Sequence, residues 1–159
     1  TWVGSDSTTK GNWKGVYGTA GYYIAANSTL WPSWAVASVA GGTTLTWAAS
    51  TSDVRALLKV SSDTDRIAAA KYSGTPIIAD INVQDGNTHR IALYVLDWDS
   101  IGRSERIDVL DAVSGEVLDS RTVTSFSGGQ YFIWDVKGHV KFSITRIIGS
   151  SAVLSGIFF

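Results

Sequence analysis

Asp97, Trp98, Asp99 and Arg103 are the residues of this chain whose types and spacing first suggest chemistry. Two carboxylates flanking an aromatic ring, with a guanidinium four residues on, can hold hydroxyl groups or a cation. The same residues also serve as turn chemistry, the aspartates capping backbone N–H groups and pairing with the arginine. As paired acids they suit a glycoside hydrolase, yet nothing else in the sequence marks a cleft around them. A glycosyltransferase site needs a nucleotide-binding βαβ frame, which the pattern lacks. The two histidines, His89 and His139, each stand beside a predicted turn and read as strand-end residues rather than as parts of a catalytic triad.

A second group is aromatic. Sugar recognition needs a flat ring to stack on the C–H face of a pyranose and polar groups in its plane to take the hydroxyls. Trp31, Trp34, Tyr22, Tyr23 and Trp98 all sit in or beside predicted loops and can supply the ring. The competing role is to plug the ends of a β-structure, where tryptophan is mostly buried. Pro32 holds Trp31 in an extended segment and makes it the strongest candidate for exposure. Trp2, Trp13, Trp47 and Trp134 read as core or rim.

The elements that must position these residues read as strands. His89 to Asp111 forms two of them, His89 to Leu96 and Glu105 to Leu110, joined by the connection that carries Asp97 and Arg103. Ile91, Leu93 and Val95 alternate with Ala92, Tyr94 and Leu96, so the first strand is apolar on both faces. Such a strand is buried on both faces or has one face under a loop. Further strands are expected at Trp34 to Val39, Leu45 to Ala48, Arg55 to Val60, Arg66 to Tyr72 and Ile77 to Val83. Glu116 to Val123, Gln130 to Val136, His139 to Ile147 and Ala152 to Phe159 complete the set. Lys137-Gly138 carries a tight-hairpin signal, and Gly41-Gly42 and Asp85-Gly86-Asn87 mark other turns. The first third is read as irregular, a glycine-rich loop from Gly11 to Tyr23 tied down by aromatics. Roughly eleven short strands with no helical stripe favour an all-β, two-sheet antiparallel β-sandwich.

Composition bounds the function. The chain has 159 residues, 45% hydrophobic and 17% charged, which fits one globular domain spanning 1-159. Its net charge is -1, with no run of Lys or Arg, so nucleic acid and anionic membrane are not expected partners. The absence of cysteine excludes thiol catalysis and cysteine-built zinc sites. No apolar run approaches the ~18 residues of a membrane span. No signal peptide is recognised and the chain stops inside an apolar pattern, which suggests a module taken from a longer protein.

Several segments resemble a bacterial domain type attached to secreted enzymes and cell-surface proteins. They are Gly11-Asn12-Trp13-Lys14-Gly15-Val16-Tyr17-Gly18, Ser52-Asp53-Val54-Arg55-Ala56-Leu57, Arg66-Ile67-Ala68-Ala69 and Asp85-Gly86-Asn87-Thr88-His89-Arg90. Leu93-Tyr94-Val95-Leu96-Asp97-Trp98-Asp99 and Ala152-Val153-Leu154-Ser155-Gly156-Ile157-Phe158-Phe159 complete the match, which runs in order along nearly the whole chain. The type is similar to the galactose-binding-like jelly rolls, which include many carbohydrate-binding modules. The resemblance implies a jelly-roll sandwich, a structural calcium ion and sugar binding at loop tips or on a sheet face. It also implies a calcium cage drawn from Asp6, Asn12 and carbonyls of the glycine-rich loop, with Asp53 or Asp135 supplied from elsewhere. One position departs from the pattern: an acidic residue before the Gly-Tyr pair is here Ala20.

The expectation is therefore a non-catalytic carbohydrate-binding module, secreted or at the cell surface and once attached to a parent multidomain protein. Its partner would be a polysaccharide, held by Trp31, Trp34, Tyr22 and Trp98 with Asp97, Asp99 and Arg103 as polar groups. A β-sandwich spacer with internal aromatics is the main alternative, and a small glycoside hydrolase a more remote one.

Overall fold

The computed structural model covers residues 1–159 and contains no helix. In chain order its strands are β1 (Trp2–Asp6), β2 (Tyr22–Ile24), β3 (Ser28–Leu30), β4 (Ala35–Ala40), β5 (Thr43–Thr51), β6 (Leu57–Leu58), β7 (Arg66–Ser73) and β8 (Ile77–Val83). They continue as β9 (His89–Val95), β10 (Ser104–Asp111), β11 (Val117–Val123), β12 (Gln130–Val136), β13 (His139–Ile148), β14 (Ala152–Leu154) and β15 (Gly156–Phe158). Every pairing is antiparallel.

Two large sheets form the sandwich. One runs β1-β12-β9-β15-β2-β3 and the other β11-β10-β13-β8-β4. The chain passes repeatedly between them, as in a jelly roll. Their facing sides make one core, with Ile91, Leu93, Val95, Phe132 and Trp134 from the first sheet against Ile81, Ile107, Phe142 and Ile144 from the second. Fully burying each such side chain is worth ~1.5–3 kcal/mol, so this seam is the main source of stability. A third sheet, β14-β7-β5 with β6 beside β7, packs against both. Val153, Leu154 and Ala70 of that sheet join the sandwich core, while Ile67 and Ala69 turn to a second cluster.

That second cluster explains why β9 is apolar on both sides. Ala92, Tyr94 and Leu96, with Tyr131, Ile133 and Phe158, form the outer face of the first sheet. Trp13 from the glycine-rich segment, and Leu57 and Leu58 from β6, cover it. The Trp13 indole donates to the Leu58 carbonyl at 2.9 Å, which fixes the cover in place.

Several strand expectations change. There are fifteen strands rather than eleven. The first third is not all loop, because β1 pairs with β12 and β2 pairs with both β3 and β15. These strands are three to five residues long within Gly- and Ser-rich surroundings, and pairing with distant partners, rather than a local alternating run, defines them. The expected strand Arg55 to Val60 shortens to Leu57–Leu58. Ala152 to Phe159 is two strands, since the chain leaves the third sheet at Ser155 and enters the first. Lys137-Gly138 is not a hairpin either: β12 and β13 lie in different sheets. A tight turn reverses the chain, but whether the flanking strands bond to each other depends on how their faces are buried.

Gly129 and Gly138 separate the two demands a glycine meets. Both have positive φ, 81° and 74°. A Cβ at Gly129 would lie 1.8 Å from the Tyr94 hydroxyl, while at Gly138 nothing lies within 4 Å. Tyr94 is fully buried and its hydroxyl donates to the Arg55 carbonyl at 2.7 Å, so it has nowhere to go. Gly138→Ala is expected to cost about 1 kcal/mol for backbone strain alone, and Gly129→Ala roughly 2 kcal/mol more for the clash. Urea denaturation of both variants measures the difference.

Candidate functional site

The expected sugar-binding residues fall into separate places. Trp34 lies beside His89 at the start of β9, and Asp97 follows the other end of the same strand. Eight residues of extended chain put these ends roughly 25 Å apart. One ligand-contacting surface cannot include both unless the ligand is a long polymer.

At the far end, Asp97, Asp99 and Arg103 form a closed network. Arg103 Nη1 donates to Asp97 Oδ1 at 2.6 Å and also to Asp99 Oδ1. Asp97 Oδ2 accepts the backbone N–H groups of Gly102 and Arg103 at 3.0 and 3.2 Å. Asp97 and Arg103 are buried, and Arg103 also reaches Ser151. The Asp99 carboxyl is held below the usual carboxylate range by the Arg103 guanidinium. The motif thus works as a corner that ties the β9–β10 connection, and its charged atoms already have partners. Trp98 lies under the guanidinium of Arg55 at 4.4 Å, which occupies one of its faces.

Trp31 stacks on Tyr23 with ring centres 6.1 Å apart and meets Phe159 edge-on. Tyr22 lies against Trp13 on the outer face of the first sheet. All seven tryptophans are buried or half-buried.

Trp34 is the candidate that faces an opening. Its ring stacks on His89 at 3.6 Å and meets Phe159 edge-on at 5.9 Å. With His89, Arg90 and Phe158 it lines one side of a groove of about 640 Å³, whose other side is the glycine-rich segment at Val16, Tyr17 and Ala20. The groove opens where the cover over the outer face of β9 and β12 ends, with Ala92 and Ile133 beneath. His89 Nε2 lies 2.9 Å from Asp85, and Arg90 pairs with Asp135 at 2.9 Å. The Arg90 side chain is 59% exposed, so its guanidinium is reachable from the groove. This arrangement offers an aromatic wall and hydrogen-bonding groups on one rigid sheet end. The sequence reading missed Arg90, and took His89 only as a strand-end residue. Their adjacency just after the Asp85-Gly86-Asn87 turn was the available signal, but nothing local to it points to Trp34, 55 positions earlier.

The calcium cage does not fit the residues expected to build it. Partial burial pushes the Asp6 carboxyl up, but donors from Thr9 and Thr8 outweigh this and hold it well below the ordinary range. Its oxygens accept from Thr8, Thr9 and the Tyr17 hydroxyl, in the manner of a turn cap. The Asn12 side-chain oxygen accepts from Arg66, whose other terminal nitrogen donates to the Ala56 carbonyl. Arg66 is 9% exposed, so a buried guanidinium already sits among the neutral oxygens a metal would need. Asp53 and Asp135 pair with Arg55 and Arg90. No three His, Asp or Glu side chains converge as metal ligands.

No family model matches the chain, and no curated protein matches it. Among solved structures, the chain is similar to the native structure of a family 35 carbohydrate binding module from Clostridium thermocellum. The TM-score is 0.41 at 11% identity, over 77% of this chain and 89% of that one.

Two outcomes follow from the buried charges. EDTA is expected to leave the melting temperature unchanged, whereas Arg66→Met, which strands the buried Ala56 carbonyl and releases the Asn12 oxygen, should cost about 1–3 kcal/mol. A chelator-induced drop in melting temperature would reinstate the metal. Glu105 provides the pH test. It is fully buried, accepts only the Val153 N–H at 2.8 Å, and leaves its other oxygen without a partner. Burial pushes its carboxyl from 4.5 up to about 8. The folded state therefore holds this proton where the unfolded chain releases it, so stability should fall as pH rises from 4.5 towards 8. Glu105→Gln is expected to flatten that slope in urea titrations at pH values across this window.

Proposed function

We propose that this protein is a non-catalytic carbohydrate-binding module whose site is the groove beside Trp34. In this reading it works outside the cell, as part of a larger secreted protein, because that is where polysaccharide is met. The observation that carries the reading is the groove's composition. An aromatic wall of Trp34 and Phe158 stands beside Arg90 and His89, on a sheet end that buried strands hold rigid. Pyranose rings present apolar C–H faces and hydroxyl edges together, and this lining offers both kinds of contact. The groove is open and about 640 Å³, large enough for more than one sugar unit. Of the original candidates, Trp34 is central here, while Trp31 and Tyr22 support the wall through Phe159 and Trp13. The acids Asp97 and Asp99 are tied to Arg103, and neither histidine faces a serine, so no catalytic step is assigned to them.

The spacer reading keeps one observation in its favour, namely that every tryptophan has internal partners. Affinity electrophoresis against soluble polysaccharides decides between them. Retardation by at least one polysaccharide is expected. Arg90→Ala and Trp34→Ala should each weaken it by about tenfold, or ~1.4 kcal/mol. Arg90 is mostly exposed, so its variant should melt like the wild type and report binding alone. No retardation on any polysaccharide would leave the spacer.

A further inference from the structure

We propose a second ligand site, shaped for a single neutral sugar unit, in the recess at the Asp97–Arg103 corner. The recess measures about 330 Å³, half the groove's volume, and lies at the other end of β9. Its walls come from three connections. Ser100 and Ser104 bracket the β9–β10 turn, Thr124, Ser125 and Ser127 come from the β11–β12 turn, and Ile148 ends β13. Ile148 is the one hydrophobic residue of the lining.

Three independent features point to a ligand. The first is unmet hydrogen-bonding capacity. Five hydroxyl groups surround one concavity, and none bonds to another protein group. Four of them belong to half-buried or exposed residues, but Ser104 is only 5% exposed and still has no partner. The Ser104 hydroxyl opens onto the recess while the rest of its side chain is enclosed, so its free donor and acceptor capacity faces the concavity. The second is backbone conformation. Ser100 and Ser125, from two different connections, hold φ of 54° and 55°, a region that non-glycine residues seldom enter. The third is the rigid floor. Asp97 and Arg103 are buried and fully engaged with each other and with backbone donors, so the hydroxyls stand on a base that does not relax.

The chemistry of the walls selects the ligand. Hydroxyls donate and accept, which matches the edge of a polyol. Arg103 is the lone cation, and Asp97 and Asp99 neutralise it, so phosphate, sulfate and carboxylate ligands find no net positive charge. The lining has no aromatic ring, so an extended chain has no stacking platform here. A chain end or a free monosaccharide fits both the volume and the polarity. The site stands on its own lining and does not depend on the groove.

The test uses backbone amide NMR of the full chain, titrated with glucose, galactose, mannose, xylose and arabinose at millimolar concentrations, and in parallel with glucuronate. At least one neutral sugar is expected to shift residues 100–104 and 124–127, with glucuronate weaker. Ser104→Ala removes only the unpartnered hydroxyl that opens onto the recess and should weaken that sugar by about five- to tenfold at an unchanged melting temperature. Ser127→Val, at a half-buried wall position, should block it. Trp34→Ala separates the two sites, because it should weaken polysaccharide retardation about tenfold and leave these shifts intact. The proposal is overturned if no neutral sugar moves these amides, if shifts confine themselves to His89 and Arg90, or if Ser104→Ala and Ser127→Val both bind as the wild type does.

Discussion

The burial of β9 on both faces is the constraint on which the rest of this structure depends. Its odd residues Ile91, Leu93 and Val95 enter the sandwich core, and its even residues Ala92, Tyr94 and Leu96 need a second cover. Leaving that outer face wet would forfeit several side chains' worth of burial, each ~1.5–3 kcal/mol. The glycine-rich segment and β6 supply the cover. Gly11 shows how close the fit is: a Cβ there would lie 1.8 Å from the Ala56 carbonyl. Arg66 then ties Asn12 to Ala56, so a cation of the chain itself fastens the segment.

The two proposed sites lie where that double burial stops. At the start of β9 the cover ends and leaves the groove, with His89 and Arg90 as the last residues before the turn. At its other end the chain leaves the sheet through Asp97, whose carboxylate gathers Gly102 and Arg103 into a fixed corner. Both ends are therefore rigid for the same reason, although their chemistry differs. The groove is aromatic with cationic and imidazole groups, and the corner is a ring of hydroxyls over a neutralised ion pair. Buried strands hold these groups, as is common for sites presented on loops of a β-scaffold. The stranded oxygen of Glu105 lies in the same fold region, one strand position from Ser104. It shows that the core near the corner carries a polar cost that protonation relieves.

The periodic parts of the fold were legible early. Ile77–Val83 and Gln130–Val136 match their strands at both ends, the first because regular alternation reflects one face in the core, the second because a run of apolar residues is buried on both faces. Turn chemistry was legible as turns but not as topology. Gly41-Gly42, Asp85-Gly86-Asn87 and Lys137-Gly138 each join strands of different sheets, whereas Ala112 to Gly115 closes a true hairpin between β10 and β11. The short strands β1, β2 and β3 were invisible, since each is only three to five residues long between glycines and polar residues, and their partners lie more than a hundred residues away or in the next turn.

For the site, the sequence by itself determined the inventory: the all-β class, the apolar character of β9 on both faces, Trp34 as a loop-side aromatic, and the Asp97–Arg103 pairing as turn chemistry. These follow from residue type and local spacing, which act over a few residues. Only the tertiary structure decided the grouping. It put Trp34 against His89, separated it from Trp98 by the length of a strand, and placed Arg66 among the oxygens suggested for calcium. It also gathered Ser104 with Thr124 to Ser127 into one recess. Those juxtapositions arise from strand order across the two sheets, and strand order is set by which faces bury together rather than by any residue's neighbours in the chain.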